Sequence, residues 1–293
     1  MQMLYLFEGI SRQAHAKSVN RIKQCLNLET CYIGFMAEIR KIHPGMGLRK
    51  MYEQFNPTGI GRDAFIFLGL QHGYRLGFKR NASRTTYSIK SNRYKNLLAK
   101  KKFTKVNQLW VSDITYYSFN GRHFYIVLLM DVYSRRILGY SISKNMKAEN
   151  NIKALMMAIT TRGETDYDHE LIHHSDRGSQ YVSNDYTNLL EDSNILISMC
   201  NNVYENTHCE RVNSTIKNEY LDRWDAKNER QLYKNVDKAI ANYNNRRHNS
   251  LKMTPLQYEA FLESIEPNQR IRMEIYTERI EPFNNNQIAF QFD

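Results

Sequence analysis

Three acidic residues stand where the local sequence does not favour them. Asp113 interrupts the apolar, β-branched run "NQLWVSDITYYSF", a setting in which aspartate is disfavoured both by strand propensity and by burial. Asp176 closes the run "HELIHHS" and opens the turn Asp-Arg-Gly; Glu210 lies early in the helix-like segment "YENTHCERVNSTIKNEYL". Three convergent carboxylates can hold two divalent cations about 4 Å apart, the geometry that activates an attacking oxygen and stabilises a leaving one in phosphoryl transfer. Taken singly, each acid has a plainer reading: a hydrogen-bonded core aspartate, a turn former and an exposed helical charge. Only the elements that carry them can decide whether they meet.

Those elements read as follows. "NQLWVSDITYYSF", "RHFYIVLLMDVYSR" and "RILGYSISK" follow one another with Asn-Gly and Ser-Arg-Arg between them, predicting three antiparallel strands in a meander. A helix, "AENNIKALMMAITTR", comes next, with Ile152, Leu155, Met156 and Ile159 on one face. Strand "HELIHHS", helix "NDYTNLLEDS", strand "ILISM" and a long helix from about Asn206 to Leu221 complete the order. The expected fold is a mixed five-stranded α/β sheet with flanking helices, in the ribonuclease H-like order, preceded by a small basic helical domain. In that order the fourth strand lies beside the first, so Asp176 and Asp113 share a sheet edge and the helix bearing Glu210 returns over it.

Before this core the texture is different. Residues 1–107 hold 20 basic and 5 acidic residues, within a chain of 293 residues and net charge +11. Such an excess points to a polyanionic partner, most simply nucleic acid, against the plainer reading of a soluble basic surface. Residues 1 to about 100 read as short helices broken by turns, "GISRQAHAK", "ETCYIGFMAEIRKIHPGMG", "GLRKMYEQF" and "GIGRDAFIFLGLQHG", with Asp63 a candidate cap. A helix-turn-helix fits this spacing, as does plain helix packing. From Tyr87 the chain is polar and basic, a linker whose Lys100, Lys101 and Lys102 suit DNA tracking. The four cysteines lack C-x-x-C spacing, which argues against a zinc finger and for free thiols in a reducing compartment. No run reaches the length of a membrane span and no leader is evident, so a cytoplasmic location, nucleoid-associated when on DNA, is expected.

The runs "LWVSDITYY", "YIVLLMDVYSRRILGYSIS", "IHHSDRGSQYVS", "YENTHCERVNSTIKNEYL" and "YNNRRHNSLKMTP" resemble, in order and spacing, the DDE core of insertion sequence 3 family transposases, of the retroviral integrase superfamily. "HSDRGSQY" and the trailing "YNxxRxHxSLxxxTP" pattern carry the resemblance to that family in particular. "GISRQAH" and "HPGMGLRKMY" resemble, more weakly, the helical region before the core in the product of the family's second reading frame. The resemblance implies a two-metal DNA transposase that cleaves and joins strands at insertion-sequence ends, with Asp113, Asp176 and Glu210 as catalytic metal ligands and two Mg²⁺ or Mn²⁺ ions. Glu205 and Glu219 fall off the ligand position. Asp131 matches a recurrent aspartate that is not a ligand in the family and is read as structural, bonding the turn at Ser134 and Arg135. His173 and His174 are either metal-adjacent or core residues; the core reading is preferred because hard Mg²⁺ favours oxygen.

Arg177, Gly178 and Gln180 are expected to offer donors to a phosphate. Ser214 and Lys217, four and seven residues beyond Glu210, share its helix face and are the helix's DNA-contact candidates. The expected domains are 1–86 helical and DNA-binding, 87–102 linker, 103–263 catalytic core and 264–293 tail. Terminal-repeat and target DNA, other copies of the chain on DNA, and an upstream-frame protein or fusion are the implied partners. Two departures stand out. Between Asp176 and Glu210 lie 33 residues where the resembled family usually has about 35, so that the loop at "CNNVYEN" is shortened by about two, and Arg247 stands where the family usually has proline. A shortened active-site loop keeps open a second reading, a degenerate DNA-binding regulator. A glycosidase, which needs only an acid and a base, leaves the basic third of the chain unexplained.

Overall fold

The computed structural model describes residues 9, 11–77, 93–98, 101–163, 168–200 and 207–274. The chain falls into two compact units: residues Met1–Asn81 together with Asn218–Lys227, and Ala82–Lys217 together with Asn228–Asp293.

The first unit is helical. Helix α1 spans Arg12–Ile42, α2 Leu48–Phe55 and α3 Arg62–Gln71. The two short helices expected before residue 43 are one helix of 31 residues. No proline interrupts the stretch, Ser11 caps it by accepting from the Ala14 N–H at 3.0 Å, and Gly34 alone is tolerated inside it. Tyr32, Met36, Met46, Leu48, Met51, Phe65 and Leu68 form this unit's core. Asp63 does not cap α3. Gly61 occupies the cap position without a side-chain bond, and Asp63 pairs with Arg62 inside the first turn. Residues 218–227 complete the unit: Gly45 N–H donates to Glu219 O at 2.8 Å, His43 Nδ1 and Tyr220 Oη lie 2.8 Å apart, and Lys50 pairs with Glu219 at 2.7 Å. Gly45 has no substitute here, because a Cβ would stand 2.3 Å from Glu219 Cα.

The second unit is built on a five-stranded sheet. Strand β1 (Lys102–Phe103) precedes it, followed by β2 (Leu109–Phe119), β3 (Arg122–Asp131), β4 (Ile137–Ser143), β5 (Leu171–Ser175) and β6 (Ile195–Met199). The order across the sheet is β4-β3-β2-β5-β6, antiparallel in the meander and parallel from β2 through β6. That is the expected ribonuclease H-like arrangement. The β2–β3 turn is Asn120-Gly121, both at positive φ, as a two-residue hairpin with the strands' own twist requires.

Helices α4 (Ala148–Arg162) and α5 (Asn184–Asp192) flank the sheet. Trp110, Leu129, Leu138, Leu155, Ala158, Tyr181, Tyr186, Leu190 and Met199 belong to the core between them and the strands. The buried stripe of α4 is Asn151, Ala154, Leu155 and Ala158; Met156, expected on it, is exposed, since the true stripe lies about a quarter-turn away. Gly139 lets α4 approach so closely that a Cβ there would lie 1.9 Å from Ala154 O.

Beyond β6 come α6 (Thr207–Thr215) and a π-helical turn over Ile216–Leu221, so the long helix expected from Asn206 changes its winding halfway. Helices α7 (Glu229–Asn244) and α8 (Pro255–Glu263) follow, and β7 (Met273–Glu274) pairs with β1. The segment expected as a linker is docked where it is described: Leu98 is fully buried and Leu97 N–H donates to Ser198 Oγ at 2.9 Å. Among the described residues no helix is long and apolar enough to cross a membrane.

Candidate active site

Strand β2 runs through the centre of the sheet, and its pairing with β5 ends at Ser112 opposite Ser175. Asp113, the next residue of β2, and Asp176, the residue after the end of β5, therefore follow in register on two adjacent parallel strands, where β5 gives way to a loop while β2 runs on to Phe119. Asp113 Oδ1 accepts the Ile114 N–H at 2.9 Å and Asp113 Oδ2 accepts from Asn213 Nδ2 at 2.8 Å. Asp176 Oδ1 accepts the Gly178 N–H at 3.0 Å. Glu210 lies in the first turn of α6, exposed, three residues before Asn213 and so on the helix face that meets Asp113.

The electrostatics tie the three acids together. Burial first, then the charge of Asp176 and that of Glu210, push the Asp113 carboxyl up to about 7 against the opposing Ile114 and Asn213 hydrogen bonds. Burial also raises Asp176. Among the described residues none of the three acids forms an ion pair with a cationic side chain. No three His, Cys, Asp or Glu side chains among them stand close enough to hold an ion as they are. Like charges with no counter-charge repel, and a set of hard carboxylate oxygens lacking a protein cation is a donor set fitted to a divalent metal.

The neighbouring groups are mostly engaged within the chain. Asp131 is buried, its Oδ1 accepting from Asn107 N–H at 2.9 Å and its Oδ2 from Ser134 N–H at 2.6 Å. Arg135 is not its hydrogen-bond partner. Burial, against those bonds, raises the Asp131 carboxyl to about 6. His173 and His174 are both buried: His173 Nε2 bonds Tyr186 Oη at 2.9 Å, and His174 bonds Ser198 Oγ at 2.8 Å and Cys200 Sγ at 3.0 Å. Burial lowers them to about 3 and about 4, so both are neutral core histidines. The donors expected to await a phosphate also make bonds within the chain. Arg177 Nε donates to Cys200 O at 2.7 Å, Gly178 N–H to Asp176, and Gln180 Nε2 to Met146 O at 3.0 Å. Each closes the Asp-Arg-Gly turn or ties it to a neighbouring strand end or loop.

Lys217 Nζ donates to Thr115 Oγ1 at 2.8 Å and lies 5.5 Å from the Tyr116 ring centre. Ser214 is partly buried beside it on the helix. Lys101 and Lys102 are exposed, with Lys101 3.7 Å from Glu170, while Lys100 and Glu205 lie outside the described residues. Glu219 belongs to the helical unit through its Lys50 bridge. Two contributors escaped sequence reasoning. Asn213 was legible in principle, at i+3 from Glu210 on the face that also carries Lys217. The bond from Arg135 to His208, between the β3–β4 turn and the start of α6, had no local signal.

A five-stranded sheet in this order, with one acid inside the central strand, a second just past the end of its parallel neighbour and a third on the helix beside them, defines an integrase-type core. The family comparisons agree: models described as integrase core domain match residues 104–203 and 197–255. The chain is 31% identical over 223 residues to the insertion element IS600 uncharacterized 31 kDa protein of Shigella sonnei, covering 74% of this chain and 81% of that one. It is 30% identical over 210 residues to the transposase for insertion sequence element IS629 of Shigella sonnei, covering 70% of each. Transposase InsF for insertion sequence IS3A of Escherichia coli is 38% identical over 93 residues, 32% of this chain and 31% of that one. Among solved structures, the HTLV-2 integrase catalytic core domain in complex with magnesium is similar at 22% identity and a TM-score of 0.44, over 53% of this chain and 97% of that one. The chain belongs to the insertion sequence transposases with an integrase core, in the insertion sequence 3 family. Membership makes it a polynucleotidyl transferase of mobile DNA.

Proposed function

We propose that this transposase cleaves and joins DNA strands at insertion-sequence ends with two divalent cations, Mg²⁺ or Mn²⁺, held by Asp113, Asp176 and Glu210. The observation that carries this is the central-strand carboxyl of Asp113, raised to about 7 by burial and by the charges of Asp176 and Glu210, with no lysine or arginine among its bonding partners. When bound, such ions would activate the attacking oxygen and stabilise the leaving one. The chain's own groups supply the rest. Ile114 N–H and Asn213 fix both oxygens of Asp113, Gly178 N–H fixes Asp176, and Lys217 is held on Thr115 beside the site. The basic N-terminal third holds DNA by phosphate contacts, with Lys101 and Lys102 at the entry to the core. In this reading the chain works as a homo-oligomer on terminal-repeat and target DNA, with an upstream-frame protein or fusion reading the sequence. Residues 1–86, 87–102, 103–263 and 264–293 are its binding, linking, catalytic and tail segments, apart from 218–227, which belong to the helical unit.

The test is cleavage and joining of a duplex bearing the element's own end, in Mg²⁺ or Mn²⁺. Glu210→Gln keeps the helix but weakens a ligand, so cleavage should fall at least about a hundredfold while folding and DNA binding persist. Glu205→Gln and Glu219→Gln should cost far less. Full activity in Glu210→Gln would overturn the assignment. A parent inactive on its true ends, with the upstream partner supplied, would instead support the degenerate regulator, which the shortened loop and the exposed position of Glu210 favour.

A further inference from the structure

Two adjacent arginines in the β3–β4 turn have opposite fates. Arg136 pairs with Glu259 at 2.7 Å, an ordinary partly buried ion pair. Arg135, mostly desolvated, has no carboxylate partner among the described residues; its guanidinium donates to His208 Nδ1 at the start of α6. The turn holds Arg135 at φ 63°, a conformation disfavoured for a residue with a Cβ, and Asp131 fixes that turn through Ser134 N–H. Asp131 is the acid whose charge Arg135 feels, but both its oxygens are occupied by backbone donors. Arg211, exposed on α6, adds a second guanidinium whose charge acts on both Arg135 and His208, and it too lacks an ion pair among the described residues. Because His208 Nδ1 accepts, its proton is on Nε2, a further donor. The cluster holds two guanidiniums and an imidazole N–H at the amino end of a helix.

We propose that Arg135 and Arg211, together with His208 Nε2–H, bind one backbone phosphate of a DNA strand at the amino end of the helix that carries Glu210. The inference rests on the reading that the chain acts on DNA and adds a contact that this reading does not contain. A phosphodiester is a monoanion with two free oxygens, matched to the guanidinium fork, and a desolvated arginine without a carboxylate is the group it would neutralise. Placed on the helix that carries Glu210 and Asn213, the contact sets the register of the strand against Asp113. The rival is that Arg135 only clamps the turn to α6.

The experiment measures binding of the full chain to a duplex carrying the element's end, by fluorescence anisotropy across salt concentrations, with single phosphates replaced one at a time by neutral methylphosphonates. In the parent, one replacement near the cleavage position should weaken binding about tenfold, the usual size of a lost charge-assisted contact. Arg135→Gln and Arg211→Gln should each weaken binding to native DNA and respond less than the parent to that same replacement, and the two together should be insensitive to it and lower the salt slope by about 0.9, one phosphate contact. Arg135→Lys should keep the slope and lose part of the affinity. If circular dichroism shows that Arg135→Gln misfolds, Arg211→Gln decides alone, because its side chain is exposed. Salt slopes and replacement profiles identical to the parent's in these variants would overturn the phosphate site while leaving the DNA reading intact. A parent that binds no duplex even at low salt would overturn both.

Discussion

Asp131→Asn tests the turn on which Arg135 stands. The carboxyl of Asp131 is raised from 3.8 to about 6, so the native state holds its proton more tightly than the unfolded chain does. A raised folded pKa contributes stability that is fully present below 3.8 and is lost as pH rises through about 6. With these two values the site favours folding by about 2 kcal/mol at pH 4.5 and by nearly nothing at pH 7.5. Asparagine is isosteric and cannot titrate. It adds a cost that does not vary with pH, about 1–3 kcal/mol, because its amide nitrogen must face one of the two buried N–H donors, Asn107 or Ser134. The variant should thus be modestly destabilised at pH 7.5 and a further ~2 kcal/mol worse at pH 4.5. The catalytic unit can be followed separately, since Trp110 is buried in its core and donates to Asn107, one bond from Asp131, while Trp224 belongs to the helical unit. Urea unfolding read by tryptophan fluorescence in a Trp224→Phe background gives both values. The titrations of the buried histidines are common to both proteins and cancel. An equal destabilisation at both pH values would refute the reasoning, because it would mean that Asp131 titrates alike in the folded and unfolded chain.

Two further outcomes follow from the same geometry. Gly139→Ala places a Cβ 1.9 Å from Ala154 O, so α4 must shift on the sheet; a loss of about 2–3 kcal/mol is expected in the same urea assay, and an unchanged midpoint would show that the helix is free to move. His174 is lowered to about 4, so its contribution is present above 6.5 and lost as pH falls toward 4. His174→Gln should therefore make the unfolding constant less steep on acidification, by up to about tenfold per pH unit within that window, and an unaltered pH slope would exclude the buried neutral imidazole as its source.

Alternation and turn chemistry made the sheet legible. The runs around Trp110, Ile126 and Ile137 alternate or stay apolar as half-buried and central strands do, and Asn120-Gly121 marks the hairpin between the first two. Asp113 stood out because an acid inside such a run needs a reason. The helical unit was harder to read. Residues 12–31 of α1 are almost wholly exposed, so no apolar stripe announced that the helix continues, and two fragments were expected where one exists. The bonds of Arg177 and Gln180 within the chain were not legible, because their acceptors, Cys200 O and Met146 O, are backbone atoms 23 and 34 residues away in sequence. The same non-locality hid the bond between Arg135 and His208, which crosses 73 residues.

The membership of residues 218–227 in the N-terminal unit bears on how this protein can be recombined. With Gly45 seated on the Glu219 backbone and His43 bonded to Tyr220, the helical unit is completed by a peptide encoded more than 130 codons downstream of its own helices. A chimera that exchanges only the first 86 residues for those of a relative would join a foreign turn to a resident peptide shaped for another partner. Exchanges that carry both segments should yield soluble hybrids where single-crossover ones aggregate. Drift in the two segments would accordingly be correlated, with the absent Cβ at Gly45 as the point at which the match is tightest.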